Sequence, residues 1–108
     1  MTREADQYQN ATLVNGLPTC IFAPKPYARS ITNIVVENGA TSAVMVYRGS
    51  LTSVPAARND KGSSNTLQGR IALPAGQILY IQWSAPGDPV SSATARVSFE
   101  RQDGPFQR

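Results

Sequence analysis

The stretch LQGRIALPAGQILYIQW, residues 67–83, decides the fold class. Leu67, Gly69, Ile71 and Leu73 alternate with Gln68, Arg70 and Ala72, and beyond Pro74, Ala75 and Gly76 the residues Leu79, Ile81 and Trp83 alternate with Tyr80 and Gln82. A period of two sends successive side chains to opposite sides of an extended backbone, so each half reads as a strand with one buried face. Pro74 presets φ for a turn and Gly76 accepts a left-handed backbone, which suits a short loop joining the halves as a hairpin. In that hairpin Ile71 faces Leu79, Gly69 faces Ile81 and Leu67 faces Trp83, so the apolar side chains of both strands share one side. A loop one residue shorter would set Ile71 against Tyr80 and split the face.

The same pattern recurs outward from this centre. At the far end, Ala93, Ala95, Val97 and Phe99 alternate with Thr94, Arg96, Ser98 and Glu100, which reads as a last strand. Upstream, RSITNIVVEN (29–38) is rich in β-branched residues, Asn38-Gly39 is the strongest short hairpin signal, and TSAVMVYR (41–48) is the expected partner strand. Thr12 to Asn15 reads as a short first strand closed by a turn at Asn15-Gly16-Leu17-Pro18, and Cys20-Ile21-Phe22 as a brief strand ended by Pro24 and Pro26. The long connection 49–65 is expected to hold at most one helical turn, at Ala56 to Arg58. These readings give an all-β chain, an antiparallel two-sheet β-sandwich of jelly-roll-like or immunoglobulin-like type with about six to eight strands. Its expected core is Ile34, Val36, Leu67, Ile71, Leu79, Ile81, Val97 and Phe99 around Trp83. The organisation expected is a flexible polar arm at 1–9, a sandwich domain at 10–100 and a polar tail at 101–108.

The segment 30–48 carries apolar residues of both parities. Ile34 and Val36 fall on one face and Ile31 and Val35 on the other, and Val44 and Val46 oppose Met45 and Tyr47. A domain of 108 residues buries only about 65% of its unfolded surface, enough to cover one side of such a hairpin. Two readings follow: the N-terminal segment folds over the second face, or a neighbouring subunit does. The second makes Ile31, Val35, Val44 and Val46 a candidate subunit interface.

Bulk composition narrows the function. With no histidine and one cysteine, Cys20, the chain lacks the usual general base, the usual orienter of a nucleophile, an intrachain disulfide and a thiolate zinc site. The carboxylates Asp60 and Asp88 fall in turns with no spacing that pairs them, and no phosphate-cradling glycine loop is present. An enzyme is not expected, nor a metal or cofactor. The net charge of +3 comes from basic residues scattered singly, whereas a nucleic-acid surface needs them clustered against several phosphates. No window holds the ~18 apolar residues of a membrane helix, and MTREADQYQNATL does not have the pattern of a secretory signal, so neither nucleic acid nor membrane is an expected partner and a cytoplasm is the expected site of synthesis. Two binding readings remain: a building block whose function is its contacts, and a carbohydrate-recognition module in which the outward Tyr80, with Gln82 and Arg70 beside it and Tyr47 near, stacks on a sugar.

The run from Ile31 to Gly87 followed by SSATARVSFE, with VYRGS (46–50), NTLQG (65–69), LPAGQ (73–77) and QWS (82–84), resembles small β-sandwich virion proteins encoded among the tail and head genes of long-tailed phages that infect actinobacteria. The resemblance covers roughly residues 30 to 100 through turn and strand motifs and carries over no catalytic or ligand residue. It implies a structural protein of the particle, a minor tail protein or a head decoration, present in many copies as a homo-oligomer or among other virion proteins and assembled in the host cytoplasm. On a particle of that kind the carbohydrate reading becomes contact with a host surface glycan.

Overall fold

The protein is represented by a computed structural model that describes residues 2–37, 43–59, 65–84 and 93–101. Among the described residues there is no helix; ten strands form two antiparallel sheets. They are β1 (Thr2–Arg3), β2 (Gln7–Asn10), β3 (Thr12–Val14), β4 (Leu17–Phe22), β5 (Arg29–Glu37), β6 (Val44–Arg48), β7 (Ala57–Asn59), β8 (Asn65–Leu73), β9 (Leu79–Trp83) and β10 (Thr94–Arg101). One sheet runs β10-β5-β8 with β1 and β2 both on the free flank of β10; the other runs β3-β4-β9-β6-β7. The expected two-sheet sandwich is therefore the fold, with β1 and β2 sharing one lateral position.

The strand neighbours differ from the sequence reading in an instructive way. Residues 67–73 and 79–83 do not form a hairpin: β8 pairs with β5, while β9 lies in the other sheet between β4 and β6. Gly76, at φ 81°, turns the chain, the Gln77 N–H donates to the Pro74 carbonyl at 3.3 Å, and the Gly76 N–H donates to the Lys25 carbonyl at 2.8 Å. This anchored corner carries the chain across the roughly 10 Å between packed sheets. The parity test does not separate the two outcomes, because apolar sets that point the same way in a hairpin also point at one another across a sandwich. The same holds for 29–38 and 41–48. The Asn38-Gly39 turn lies outside the described residues, but β5 is flanked by β10 and β8 and β6 by β9 and β7, so the two strands belong to different sheets.

One local turn lies where it was read but is tighter: Leu17 and Pro18, read as part of it, begin β4. Asn15 at φ 54° and Gly16 at φ 80° both occupy the left-handed region, and Val14 pairs with Leu17 around them, the geometry of a two-residue type I′ turn. Two other segments depart from expectation. Where at most a helical turn was read at Ala56 to Arg58, Ala57–Asn59 is an edge strand on β6. The arm expected to be flexible at 1–9 is strand where it is described: residues 2–10 pair with β10 through Thr2↔Arg101, Arg3↔Glu100 and the run Gln7↔Val97 to Asn10↔Thr94. With only Ala11 between β2 and β3, the chain continues directly from the edge of one sheet to the edge of the other and closes the sandwich along that side. Polarity did not signal this, because an edge strand with one face in solvent satisfies its backbone and leaves its side chains wet.

The core is formed by the inward parity of both sheets. Trp83, Phe22, Leu79, Ile81, Ala95, Val97 and Phe99 are fully buried, with Ile34 and Val36 nearly so and Ile71 packed at the margin. Phe22 and Phe99 meet edge to face across the sheets, with ring centroids 6.4 Å apart at 67°. β5 breaks strict alternation. Ile34 and Val36 point inward, yet so do Arg29 and Ile31 of the opposite parity, because the register of β5 against both neighbours shifts at Thr32 and Asn33. Between matched register positions β10 takes two steps (Val97 to Phe99), β5 three (Ile34 to Ile31) and β8 four (Leu67 to Ile71). The β-bulge flips the side chains beyond it, and the Thr32 hydroxyl donates to the Ser98 carbonyl at 3.3 Å where the ladder is interrupted.

Candidate functional site

The burial pattern relocates the excess apolar surface. Of the four residues expected at a subunit interface, Ile31, Val44 and Val46 are 1%, 2% and 1% exposed inside the core of their own chain, and only Val35 lies on an outer face, half-buried. The bulge accounts for Ile31, and the placement of β6 in the second sheet with Val44 and Val46 turned inward accounts for the two valines. Both parities of 30–48 are apolar because the two strands belong to two sheets that share one interior, and those three residues are covered without a neighbouring subunit.

The outward face of the β3-β4-β9-β6-β7 sheet is where uncharged side chains collect. Register sets Ile21, Tyr80 and Tyr47 side by side on β4, β9 and β6, and sets Thr19, Gln82, Met45 and Arg58 beside one another in the next row. Ile21 is 39% exposed, and Tyr80, Tyr47 and Met45 are half-buried. Directly opposed residues on one sheet face have Cβ atoms about 4.5–5.5 Å apart, so the tyrosines and Ile21 make a continuous band. Within the second row the Gln82 side-chain amide donates to the Thr19 hydroxyl at 2.9 Å, and both residues are buried, which locks the floor beside the band. Among the strands of this sheet the charged residues are Arg48 and Arg58, both on the β6 and β7 side. Arg48 reaches the other sheet, where its guanidinium donates to the Ala72 carbonyl at 2.8 Å.

The expected glycan contact is thus brought together only in part. Tyr80 and Tyr47 are Cα partners, as the reading required. Gln82 lies on the same face but is 9% exposed and engaged with Thr19. Arg70 belongs to β8 in the opposite sheet, where its guanidinium pairs with Glu100 at 2.9 Å, so it is not a neighbour of Tyr80. Ile21 was the residue the sequence reading did not select. It shows in PTCIF only as the odd parity between Cys20 and Phe22, and it becomes part of a row once β4 is known to lie beside β9.

A second cluster, polar and buried, sits where β5 begins. Arg29 is 1% exposed; its guanidinium lies 4.2 Å from the centroid of the Phe99 ring, donates to the Ala23 carbonyl at 3.4 Å and places Nη1 3.9 Å from Glu4 Oε1. Arg29 Nε and Nη1 and Glu4 Oε1 have no hydrogen-bond partner among the described residues. The Tyr27 hydroxyl donates to the other Glu4 oxygen, and the Arg101 guanidinium stacks 4.1 Å from the Tyr27 ring centroid. Burial lowers the Arg29 pKa from its ordinary value against the opposing effect of Glu4, and the hydrogen bond to Glu4 raises that of Tyr27. Cys20 is enclosed, its thiol contacting the Gln9 carbonyl at 3.6 Å, and burial pushes its pKa up to about 12, the state of a structural and unreactive thiol.

Fold and surface together define an antiparallel β-sandwich with one outer face that is aromatic and uncharged at its centre, and one buried arginine cluster. Comparison with family models, with curated proteins and with solved structures finds no match.

Proposed function

We propose that the chain is a non-enzymatic structural component of a phage virion that assembles through protein–protein contacts on the tail or head surface, as a homo-oligomer or among other virion proteins in the host cytoplasm. The observation that carries the contact reading is the band Ile21-Tyr80-Tyr47 with Met45 beside it, apolar or aromatic surface left outward on a face with no charge in its centre. Contiguous surface of this kind marks interaction sites. The virion part rests on the motifs Val46 to Ser50, Asn65 to Gly69, Leu73 to Gln77 and Gln82 to Ser84. Native mass spectrometry tests the reading: the purified chain is expected to self-associate or to bind particles, and Tyr80→Glu to weaken that association at least about tenfold while the chain stays folded. A chain that stays monomeric and has no affinity for particles would defeat it.

The register Tyr47↔Tyr80 favours one other reading, a carbohydrate-recognition module on the same face. Two phenol rings side by side offer a flat apolar surface rimmed by hydroxyls, the chemistry that stacks on a pyranose. Binding on a glycan array that is abolished by Tyr80→Ala, from a chain that does not self-associate, would select this reading over the first.

A further inference from the structure

We propose that the end of the sandwich at which β4, β6, β8 and β10 terminate is a docking surface for the phosphate backbone of a nucleic acid. This goes beyond the assembly reading and concerns a different surface. In the sequence the basic residues stand singly; the fold gathers them at this end. Arg101 is the Cα partner of Arg29, Arg3 is that of Glu100 one step inward, and Arg70 on β8 reaches the same Glu100 with its guanidinium. The Gly76 N–H donates to the Lys25 carbonyl at 2.8 Å and the Arg48 guanidinium to the Ala72 carbonyl at 2.8 Å, which brings both residues to the same end. Six of the eight described basic residues thus meet two acidic ones, Glu4 and Glu100, an excess of four positive charges. The other described charges, Arg58, Arg96, Asp6 and Glu37, cancel.

Exposure decides which of these groups a ligand can touch. Arg29 is buried beside Glu4, and that pair stays internal. Arg101 and Arg70 are exposed, and Lys25 and Arg48 are half-buried. Two of the four are held in place in advance, Arg48 by the Ala72 carbonyl and Arg101 by its stack on the Tyr27 ring, 4.1 Å from the centroid. A guanidinium fixed beforehand loses less side-chain entropy on binding, and its planar fork matches phosphate oxygens. The residues between them, Pro24, Pro26, Pro74 and Ala75, are exposed and bring no negative charge. Charge complementarity selects the occupant. A second copy has no negative excess among its described residues to offer, and a protein interface concentrates its charge at the rim whereas here it is spread across the end. A duplex carries one negative charge per ~1.7 Å of its axis, so several phosphates come within reach of the four cations whatever the base sequence.

The test is fluorescence anisotropy of a labelled, mixed-sequence DNA duplex titrated with the full chain. Binding is expected with a Kd of about 10⁻⁵ M at about 50 mM salt, and with an affinity that falls with salt at a log–log slope of about −3. Two double variants remove the same charge from different places. Lys25→Gln with Arg101→Gln is expected to weaken binding at least about tenfold and to flatten the slope by about two, while Arg58→Gln with Arg96→Gln stays within about twofold of the parent. Lys25→Arg with Arg101→Lys keeps the charge while changing the same two side chains, and it should bind within about threefold of the parent, which separates loss of charge from loss of fold. No binding at about 10⁻⁴ M chain would overturn the proposal. Equal weakening by the two charge-removing pairs would do the same, since net charge alone would then be responsible. Poly-glutamate that displaces the duplex as well, charge for charge, as unlabelled DNA does would assign the surface to an acidic protein instead.

Discussion

The outer faces of the two sheets differ although they enclose one core. On the β10-β5-β8 side the outward row is Tyr8, Arg96 and Val35, flanked by Glu37 and Glu100, with Arg70 and Glu100 paired at 2.9 Å. On the β4-β9-β6 side the corresponding row is Ile21, Tyr80 and Tyr47. A charge at every other outward position keeps water on the first face and discourages edge and face association. The second face has no such guard. An apolar side chain therefore means different things on the two faces: Val35 is an isolated residue beside Arg96, whereas Tyr80 is the middle of a band.

The comparison can be broken most severely at the shared core. Trp83→Ala is expected to cost about 3–5 kcal/mol, a large part of the ~5–15 kcal/mol that holds a small domain. The variant should fail to accumulate in soluble form; a soluble variant with a cooperative urea transition would show that the indole is not the anchor of both sheets. Next is the clamp that attaches the leading strands to the charged sheet. Glu4→Ala leaves the Arg29 charge buried without its counter-ion and is expected to cost about 2 kcal/mol, less than for a tight buried pair because the 3.9 Å separation is long. Urea denaturation reads this directly, and Arg29→Met in the same background should recover part of the loss.

Smaller effects sharpen the difference between the faces themselves. Val35→Glu sets a carboxylate beside Arg96 and is expected to change stability by no more than about 0.5 kcal/mol and self-association not at all, whereas Tyr80→Glu acts on association. Equal effects of the two substitutions in sedimentation would erase the distinction. The alkaline limb gives a fine test. Tyr27 is raised by its hydrogen bond to Glu4, so the folded chain favours the neutral phenol. That contribution is fully present below the unfolded pKa of about 10 and is lost as pH rises through the folded value. Tyr27→Phe should accordingly show a shallower loss of stability from about pH 9 to 11 than the parent chain. An identical slope would mean that the Glu4 bond is not made in solution.

How far the sequence could be read is best seen residue by residue. Leu79, Ile81, Trp83, Ala95, Val97 and Phe99 were legible as core from alternation alone, because the pleat sends every second side chain one way whatever lies beyond it. Ile31 was misplaced because a bulge at Thr32 reverses parity and leaves no mark in composition. Arg29, an ordinary charged residue at a strand start, became a buried cation because residues 2–10 return to cover it, a contact spanning the length from Glu4 to β5 that no local pattern encodes. Arg70 was set beside Tyr80 because the hairpin reading placed them on adjacent strands, and the structure separates them into two sheets.

Alternation and turn residues determined on their own that this chain is an antiparallel sandwich and which side of most strands is dry. The Asn15-Gly16 turn was local chemistry of the same kind. Which strand lies beside which was decided only in three dimensions. A strand following a turn can pair with its predecessor or face it across the core with the same inward side chains, and only packing and backbone pairing over the whole domain choose between them.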